Sequence, residues 1–270
     1  KPLGTGHAVK VTESVFKSFS SPILILSGDV PLVTLKTIRG LVRRHYQTGA
    51  ALTLASCLLD RTVPYGRLIR RPDGTLERIV EAVDATEAEL NVLEMNVGLY
   101  CVNRDSLFQA LAKISPKNKK HEYYLTDIVE QIDSKSVFCL HQKEEVLGIN
   151  NRFELHEKAK HLREQICRRW MLKGVTLIDA ASTYVGPDVT LGQDVTLYPQ
   201  THVEGKTVIG SGCVIGVGAV IQNSVIGRHV TIKPYSIIEN SKVEANAVVG
   251  PFARLRPGTR LKKSARVGNF

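Results

Sequence analysis

Aromatic residues are scarce in this 270-residue chain: Phe, Trp and Tyr together make up 6% of it. A surface that grips RNA by stacking needs aromatics among its cations, so the formal charge of +10 is not read as a nucleic-acid signature. The cations are dispersed, which suits solvated faces and anionic small-molecule substrates. Cysteine forms no framework either. Cys57, Cys101, Cys139, Cys167 and Cys213 are odd in number, scattered and never in a Cys-x-x-Cys pair. That argues against a disulfide scaffold and a zinc site, and predicts reduced thiols in packed positions. No run of about eighteen apolar residues occurs, and the opening KPLGTGHAVK has no apolar stretch behind its lysine. Neither a membrane span nor a signal peptide is visible, so a cytoplasmic location is the default expectation.

What is present is periodicity. Val185, Leu191, Leu197, Val203, Ile209, Ile215 and Ile221 lie six residues apart. The register then slips by five to Ile226, Ile232 and Ile238, and slips again to Val243, Val249, Leu255, Leu261 and Val267. Glycine often follows the aliphatic, as at Gly192, Gly210 and Gly216. This period fits neither a helix nor a hairpin stack. It predicts a solenoid of short parallel strands, with one aliphatic per side in the core and small residues or glycines turning the corners. Such repeats resemble the left-handed β-helix of hexapeptide-repeat acyltransferases, commonly homotrimers with acyl-donor sites between subunits.

Upstream, Leu155, Ala159, Leu162, Ile166 and Trp170 recur on one helix face, with Asn150 or Asn151 as N-cap and Gly174 near the end. A charged helix joining two domains is expected there. Residues 1–149 alternate strand and helix patterns, an α/β succession. PILILSG and ALTLASCLL read as strands and TIRGLVRRHYQTGA as a helix, while Pro72-Asp73-Gly74 turns a hairpin. EYYLTDIVEQI has helical spacing. In an open parallel sheet, ligands collect beyond the carboxyl ends of strands, which is where Asp29 falls after PILILSG. A carboxylate at a buried strand end must be solvated, paired or bound to a cation. Gly28 would let a ligand approach the backbone, and Pro31 stiffens the exit.

LGTGHA, GDVPL, YGR, Glu81, MNVGLY, EYYLTDIV and GINNR follow one another in this order, and a solenoid containing GPFARLRPG comes after them. This ordered set closely resembles the bacterial bifunctional N-acetylglucosamine-1-phosphate uridyltransferase/glucosamine-1-phosphate acetyltransferases, the GlmU family. The resemblance implies an α/β nucleotidyltransferase with a Rossmann-like mixed sheet over residues 1–149. A linker helix over 150–173 and a left-handed β-helix acetyltransferase domain over 174–270 complete the expected order. It implies that Gly4 and Thr5 lie in the loop contacting uridine nucleotide and that Ser27 and Gly28 flank the substrate. Asp29 would bind magnesium and Asn150 would complete the metal site, in competition with its reading as a helix cap. Gly66, Glu81 and Asn96 would hold the sugar phosphate. Arg256 matches an arginine that binds the acceptor sugar phosphate of acetyl transfer.

The sequence also departs from that pattern. Ser27 stands where the family usually has tyrosine, and Pro2 where glutamine is common. The glycine-rich phosphate loop of the family is expected before Lys1, and the base histidine and acetyl-CoA contacts beyond Phe270. His202 and His229 match no catalytic position and read as surface residues. The chain is thus expected to be a fragment, inactive alone, of an enzyme making UDP-N-acetylglucosamine. Its substrates would be acetyl-CoA, glucosamine-1-phosphate, N-acetylglucosamine-1-phosphate and UTP, with Mg2+ as cofactor. Two alternatives remain: a single-function sugar-1-phosphate nucleotidyltransferase with a β-helix tail, and a non-catalytic assembly subunit.

Overall fold

The computed structural model describes residues 3–268. The chain divides into two compact units, Lys1–Asn151 and Arg152–Phe270. Pro2 and Phe270 lie outside the described residues.

The first unit runs α1 (Thr5–Lys10), β1 (Ile23–Leu26), α2 (Leu35–Thr48), β2 (Leu52–Leu58), β3 (Arg67–Arg70), β4 (Leu76–Val80), α3 (Glu87–Leu90), β5 (Glu94–Val102), α4 (Arg104–Lys113), α5 (Ile128–Gln131) and β6 (Lys135–Leu140). Local chemistry sets several of these bounds. Thr34 caps α2 by accepting from the Thr37 amide at 3.2 Å, and Gly49 ends the helix at φ 61°. The expected turn closes the β3–β4 hairpin, where Asp73 accepts from the Thr75 amide at 2.8 Å and Gly74 takes φ 83°. EYYLTDIVEQI is shorter as a helix than its spacing suggests, a 3-10 turn at Leu125–Asp127 running into α5.

The sheet order is β4-β3-β5-β2-β6, with β1 joined to β5. Only the β2–β6 pair is parallel, so the sheet is mixed, as the family resemblance implied. Residues of β5 alternate between two apolar clusters. Tyr100 and Val102 join Leu52, Leu54 and Leu107, while Val97, Leu99 and Cys101 join Leu41, Ala55 and Cys57. A strand covered on both faces needs this continuous apolar character. All five cysteines are free; four are buried and Cys139 is exposed.

Strand β5 is shared unequally along one edge. Its second half pairs with β1, from Leu26 opposite Leu99 to Ile23 opposite Val102, whereas β3 meets it at Met95. Between these partners Asn96–Gly98 faces no strand on that side, and the loops after β1 and before β3 enter there.

The second unit begins with α6 (Arg152–Met171), followed by strands of two or three residues from β7 (Thr176–Leu177) to β22 (Arg266–Val267). Every third strand stacks in parallel, giving the three faces of a left-handed β-helix. The expected aliphatics from Val185 to Leu255 are buried, and Leu261 and Val267 pack against the same core. The five-residue slips leave this register intact: Leu191 stacks under Ile209, and Ile209 under Ile226. The missing residue is taken from a corner, where Ser224 occupies the place of Thr207 and its amide donates to the Thr207 hydroxyl at 3.3 Å.

Gly205, Gly212 and Gly218 turn left-handed corners as expected, but glycines such as Gly192 and Gly210, which follow a core aliphatic, do a different job. Gly192 and Gly210 do not adopt positive φ; a Cβ there would lie 2.5 Å from the Ser211 nitrogen and 2.8 Å from the Gly227 carbonyl carbon. They allow successive coils to approach, while left-handed corners fall on residues such as Asp194, Asn223 and Asn246. Helix α6 buries only its last turns, Ile166, Cys167 and Trp170, over the first coil. Leu155 and Leu162 remain 52% and 40% exposed, so the expected apolar stripe is covered only at its carboxyl end.

A methyl group at Gly210 must displace backbone, not a side chain. Gly210→Ala is therefore expected to destabilise the solenoid by about 1–3 kcal/mol, whereas Gly258→Asn, at φ 86° in open space, stays within about 0.5 kcal/mol. Urea denaturation followed by circular dichroism checks both, and equal midpoints would contradict the close-approach account.

Candidate active site

The break in strand pairing at Asn96–Gly98 opens onto a cavity of about 160 Å³, lined among others by Ser27, Asp29, Gly66, Glu81 and Asn96. Ser27 crosses the gap, its amide and hydroxyl both donating to the Gly98 carbonyl at 3.2 Å. Gly98 has φ 72°, and a Cβ on it would overlap the Ser27 hydroxyl, so both conformation and space demand glycine. On the other side, the Asn96 amide donates to the Gly66 carbonyl at 2.8 Å. The Asn96 side chain donates to the Tyr100 hydroxyl at 2.8 Å and accepts from the Gly98 amide at 3.2 Å. Its carboxamide keeps one further donor and one further acceptor position.

Glu81 stands over Gly66, whose Cβ would lie 3.5 Å from both carboxylate oxygens. Thr126 donates to Glu81 at 2.9 Å. Burial nevertheless pushes the Glu81 carboxyl above its ordinary range, with Asp84 adding to the rise and Lys120 opposing it. Asp127 is pushed up further, to about 6, by burial and by the negative charges of Glu130, Glu81 and Asp84. These carboxyl groups form one acidic wall.

Asp29 differs from the buried strand-end carboxylate that the sequence suggested. Residue 29 is exposed, because β1 is an edge strand whose Leu24 and Leu26 also face outward. Among the described residues the Asp29 carboxylate makes no hydrogen bond or ion pair. Its backbone carbonyl accepts from the Ile149 amide at 2.9 Å, which brings the chain leading to Asn150 alongside. One Asp29 oxygen lies 3.2 Å from where Gly148 would carry a Cβ. Tyr65 fastens the same segment by accepting from the Gly148 amide at 2.6 Å and donating to the Val146 carbonyl at 3.2 Å. Helix α6 starts at Arg152, so the cap position is Asn151 and not Asn150.

Gly28 is exposed beside this corner. Gly4 and Thr5 do not line the cavity. They open α1, so LGTGHA is a helix start and not an extended loop. A Cβ on Gly4 would sit 2.5 Å from the Tyr123 carbonyl, and the Thr5 hydroxyl accepts from the Leu125 amide at 3.0 Å, one residue before Thr126. Arg256 belongs to the second unit and is exposed; its carbonyl accepts from the Ser241 hydroxyl at 2.9 Å. His202 and His229 are on the solenoid exterior, His202 partly exposed and stacked on Tyr184 at 4.5 Å.

Sequence reasoning passed over Arg67, a guanidinium 1% exposed. It donates to the carbonyls of Val63, at 3.0 Å, of Arg61, at 2.8 Å, and of Tyr65, pinning the loop that carries Gly66. No pattern signals this, since its partners are backbone atoms. Arg67 lies inside the quoted YGR stretch, as Tyr65 does, and Gly98 and Tyr100 lie inside MNVGLY, but none of the four was given a role there.

The bifunctional protein GlmU of Geotalea uraniireducens is 40% identical over 272 residues, which takes in 99% of this chain and 60% of that protein. GlmU of Geobacter sulfurreducens is 42% identical over 193 residues, or 70% of this chain and 40% of that protein. The chain is related to the bifunctional GlmU proteins. It spans about two fifths to three fifths of the length of these curated GlmU relatives. The solenoid has a second likeness: the family profile described as the GMPPB C-terminal domain matches residues 185–269.

The acidic wall beside this cavity carries a pH signature. A carboxyl raised from 3.8 to about 6 keeps a proton that the unfolded chain has already released, so its contribution is full below pH 3.8 and lost as pH rises to about 6. Asp127→Asn should flatten the dependence of Tm on pH between about 4 and 6 and stabilise the protein at pH 7 by roughly 1 kcal/mol, allowing for partial solvent screening. Calorimetry at several pH values tests this; an unchanged slope in the variant would refute the assignment.

Proposed function

We propose that the protein makes UDP-N-acetylglucosamine in two steps. Acetyl-CoA first acetylates the amine of glucosamine-1-phosphate. The phosphate oxygen of N-acetylglucosamine-1-phosphate then attacks the α-phosphorus of UTP, and the bond to the leaving pyrophosphate breaks. The observation that carries this reading is the meeting of Ser27, Asp29, Gly66, Glu81 and Asn96 at one cavity in a chain aligned with GlmU over 99% of its length.

In the uridylyl step the protein's work is positioning and electrostatics. Gly66 leaves room for a sugar beneath Glu81, and the spare Asn96 donor and acceptor suit an acetamido group or a hydroxyl. Glu81, with its raised pKa, reads the same sugar through its carboxyl. Ser27 and Gly28 form the outer lip, and Gly4 and Thr5 support the Thr126–Glu81 contact from α1 while offering the uridine side of the site. Arg256 serves the acceptor phosphate in the acetyl step.

Magnesium fits the residues available. Among the described residues no group of three His, Cys, Asp or Glu side chains could hold a metal, but Mg2+ takes one or two protein oxygens and keeps several waters. The exposed Asp29 carboxylate supplies one such oxygen and the adjacent Asn150 carboxamide a second. Bound there, the ion would neutralise the charge that gathers between two phosphorylated substrates.

The same reading divides the chain into a uridylyltransferase domain over 1–149, a linker helix over 150–173 and an acetyltransferase solenoid over 174–270. It implies a cytoplasmic homotrimer assembled through the β-helix. Among the described residues no helix is long and apolar enough to cross a membrane. The GMPPB C-terminal match favours a second reading, a sugar-1-phosphate nucleotidyltransferase without acetyl transfer.

Pyrophosphate release from UTP, N-acetylglucosamine-1-phosphate and Mg2+ tests the first activity in the full-length protein. Asp29→Ala is expected to lower kcat by at least about a hundredfold, and undiminished release would refute the metal assignment. Thiol release from acetyl-CoA with glucosamine-1-phosphate separates the two readings, since its absence leaves only the nucleotidyltransferase.

A further inference from the structure

Away from that cavity, α2 and β6 enclose a groove of about 710 Å³. Its floor is apolar. Phe138 and Leu140 lie along it, and Gly40 has no side chain because a Cβ would fall 2.5 Å from the Phe138 ring. Its rim is cationic. Lys36, Arg39 and Arg43 project from α2 at successive turns, and none of the three makes a hydrogen bond or ion pair among the described residues.

The one carboxylate in the groove is already engaged. Glu145 accepts from the Thr34 amide at 3.3 Å, from the Thr34 hydroxyl at 3.1 Å and from the Thr37 hydroxyl at 2.5 Å. Lys143, just beyond, pairs with Asp60 at 3.7 Å. The Thr34 and Thr37 partners are neutral, so Glu145 offsets one charge and the groove keeps an excess of positive charge over an apolar floor.

The groove also runs beside an open strand edge. β6 ends the sheet and has one strand neighbour, β2. Its sequence KSVFCL contains no proline, and its only lysine is at the start, so the edge lacks the usual guards against pairing. Dimensions agree with an added strand. Arg39 and Arg43 are four residues apart on a helix, about 6 Å along its axis, and alternate residues of a strand are about 6.7 Å apart.

We propose that this groove docks an extended acidic segment of a partner protein, which adds as a strand to the free edge of β6 and sets alternate carboxylates against Lys36, Arg39 and Arg43. Main-chain bonds to β6 supply affinity, and the cations select an acidic sequence over a neutral or basic one. The side chains between the carboxylates point to the opposite face of the sheet, away from α2.

The test is anisotropy titration of the full chain with a labelled octapeptide alternating glutamate and valine. Saturable binding is expected, weakened at least about tenfold by Arg39→Glu with Arg43→Glu and by about 0.5 M salt. N-methylation of alternate peptide amides, which leaves the protein untouched, should weaken binding about as much, because it removes the strand's donors. A peptide with lysine in place of glutamate should not bind. The proposal falls if no saturation occurs below about 1 mM, if the N-methylated peptide binds equally, or if a short single-stranded RNA displaces the peptide at equal charge concentration.

Discussion

The candidate site exists because one strand is longer than either of its neighbours. β5 spans Glu94–Val102, and along one edge β1 takes only its second half while β3 reaches only Met95. A continuous partner would have buried Asn96–Gly98 in a ladder. The split instead leaves backbone groups there to be satisfied by loops, and Ser27 and Gly66 supply the bonds. Two chain segments remote in sequence are thereby fixed against the same three residues. Gly98 makes the closure possible, since any side chain would occupy the space of the Ser27 hydroxyl.

The loops that cross this gap are held by polar bonds as well as by packing of Val63, Val146 and Leu147. Arg67 gathers the carbonyls of the segment before β3, and Tyr65 gathers the segment before Asn150. A buried guanidinium without a carboxylate is costly unless its donors are filled, and three main-chain oxygens fill most of them. That arrangement explains why the loops can be irregular and still present Gly66, Asp29 and Gly148 at defined separations.

Different parts of the molecule were legible in the sequence to different degrees. The solenoid was readable almost residue by residue, because a six-residue period maps each aliphatic onto one core position and the slips fall on corners. What the period could not reveal is why glycine follows the aliphatic: the constraint is the approach of the next coil, which is not a local property of the chain. In the first unit the motifs supplied Ser27, Asp29, Gly66, Glu81 and Asn96, which line one cavity, but the setting of Asp29 was misjudged. Asp29 was taken for a buried carboxylate since ILIL looks like a central strand, yet β1 has one neighbour and an outward face. Arg67 was invisible because its role depends on where a loop folds back.

The two principal carboxylates of the site are set in opposite environments, and this difference is what the proposed chemistry requires. Asp29 is exposed to solvent, which leaves its oxygens open to a hard cation. Glu81 is pushed toward its neutral form by burial and by Asp84, while Thr126 partly restores the charge. A second full anion at Glu81 would repel a sugar phosphate lying over Gly66. A protonated carboxyl donates a hydrogen bond that a carboxylate cannot make, and burial moves Glu81 in that direction. Burial and Asp84 therefore act on the cavity through Glu81, by disfavouring its ionised form.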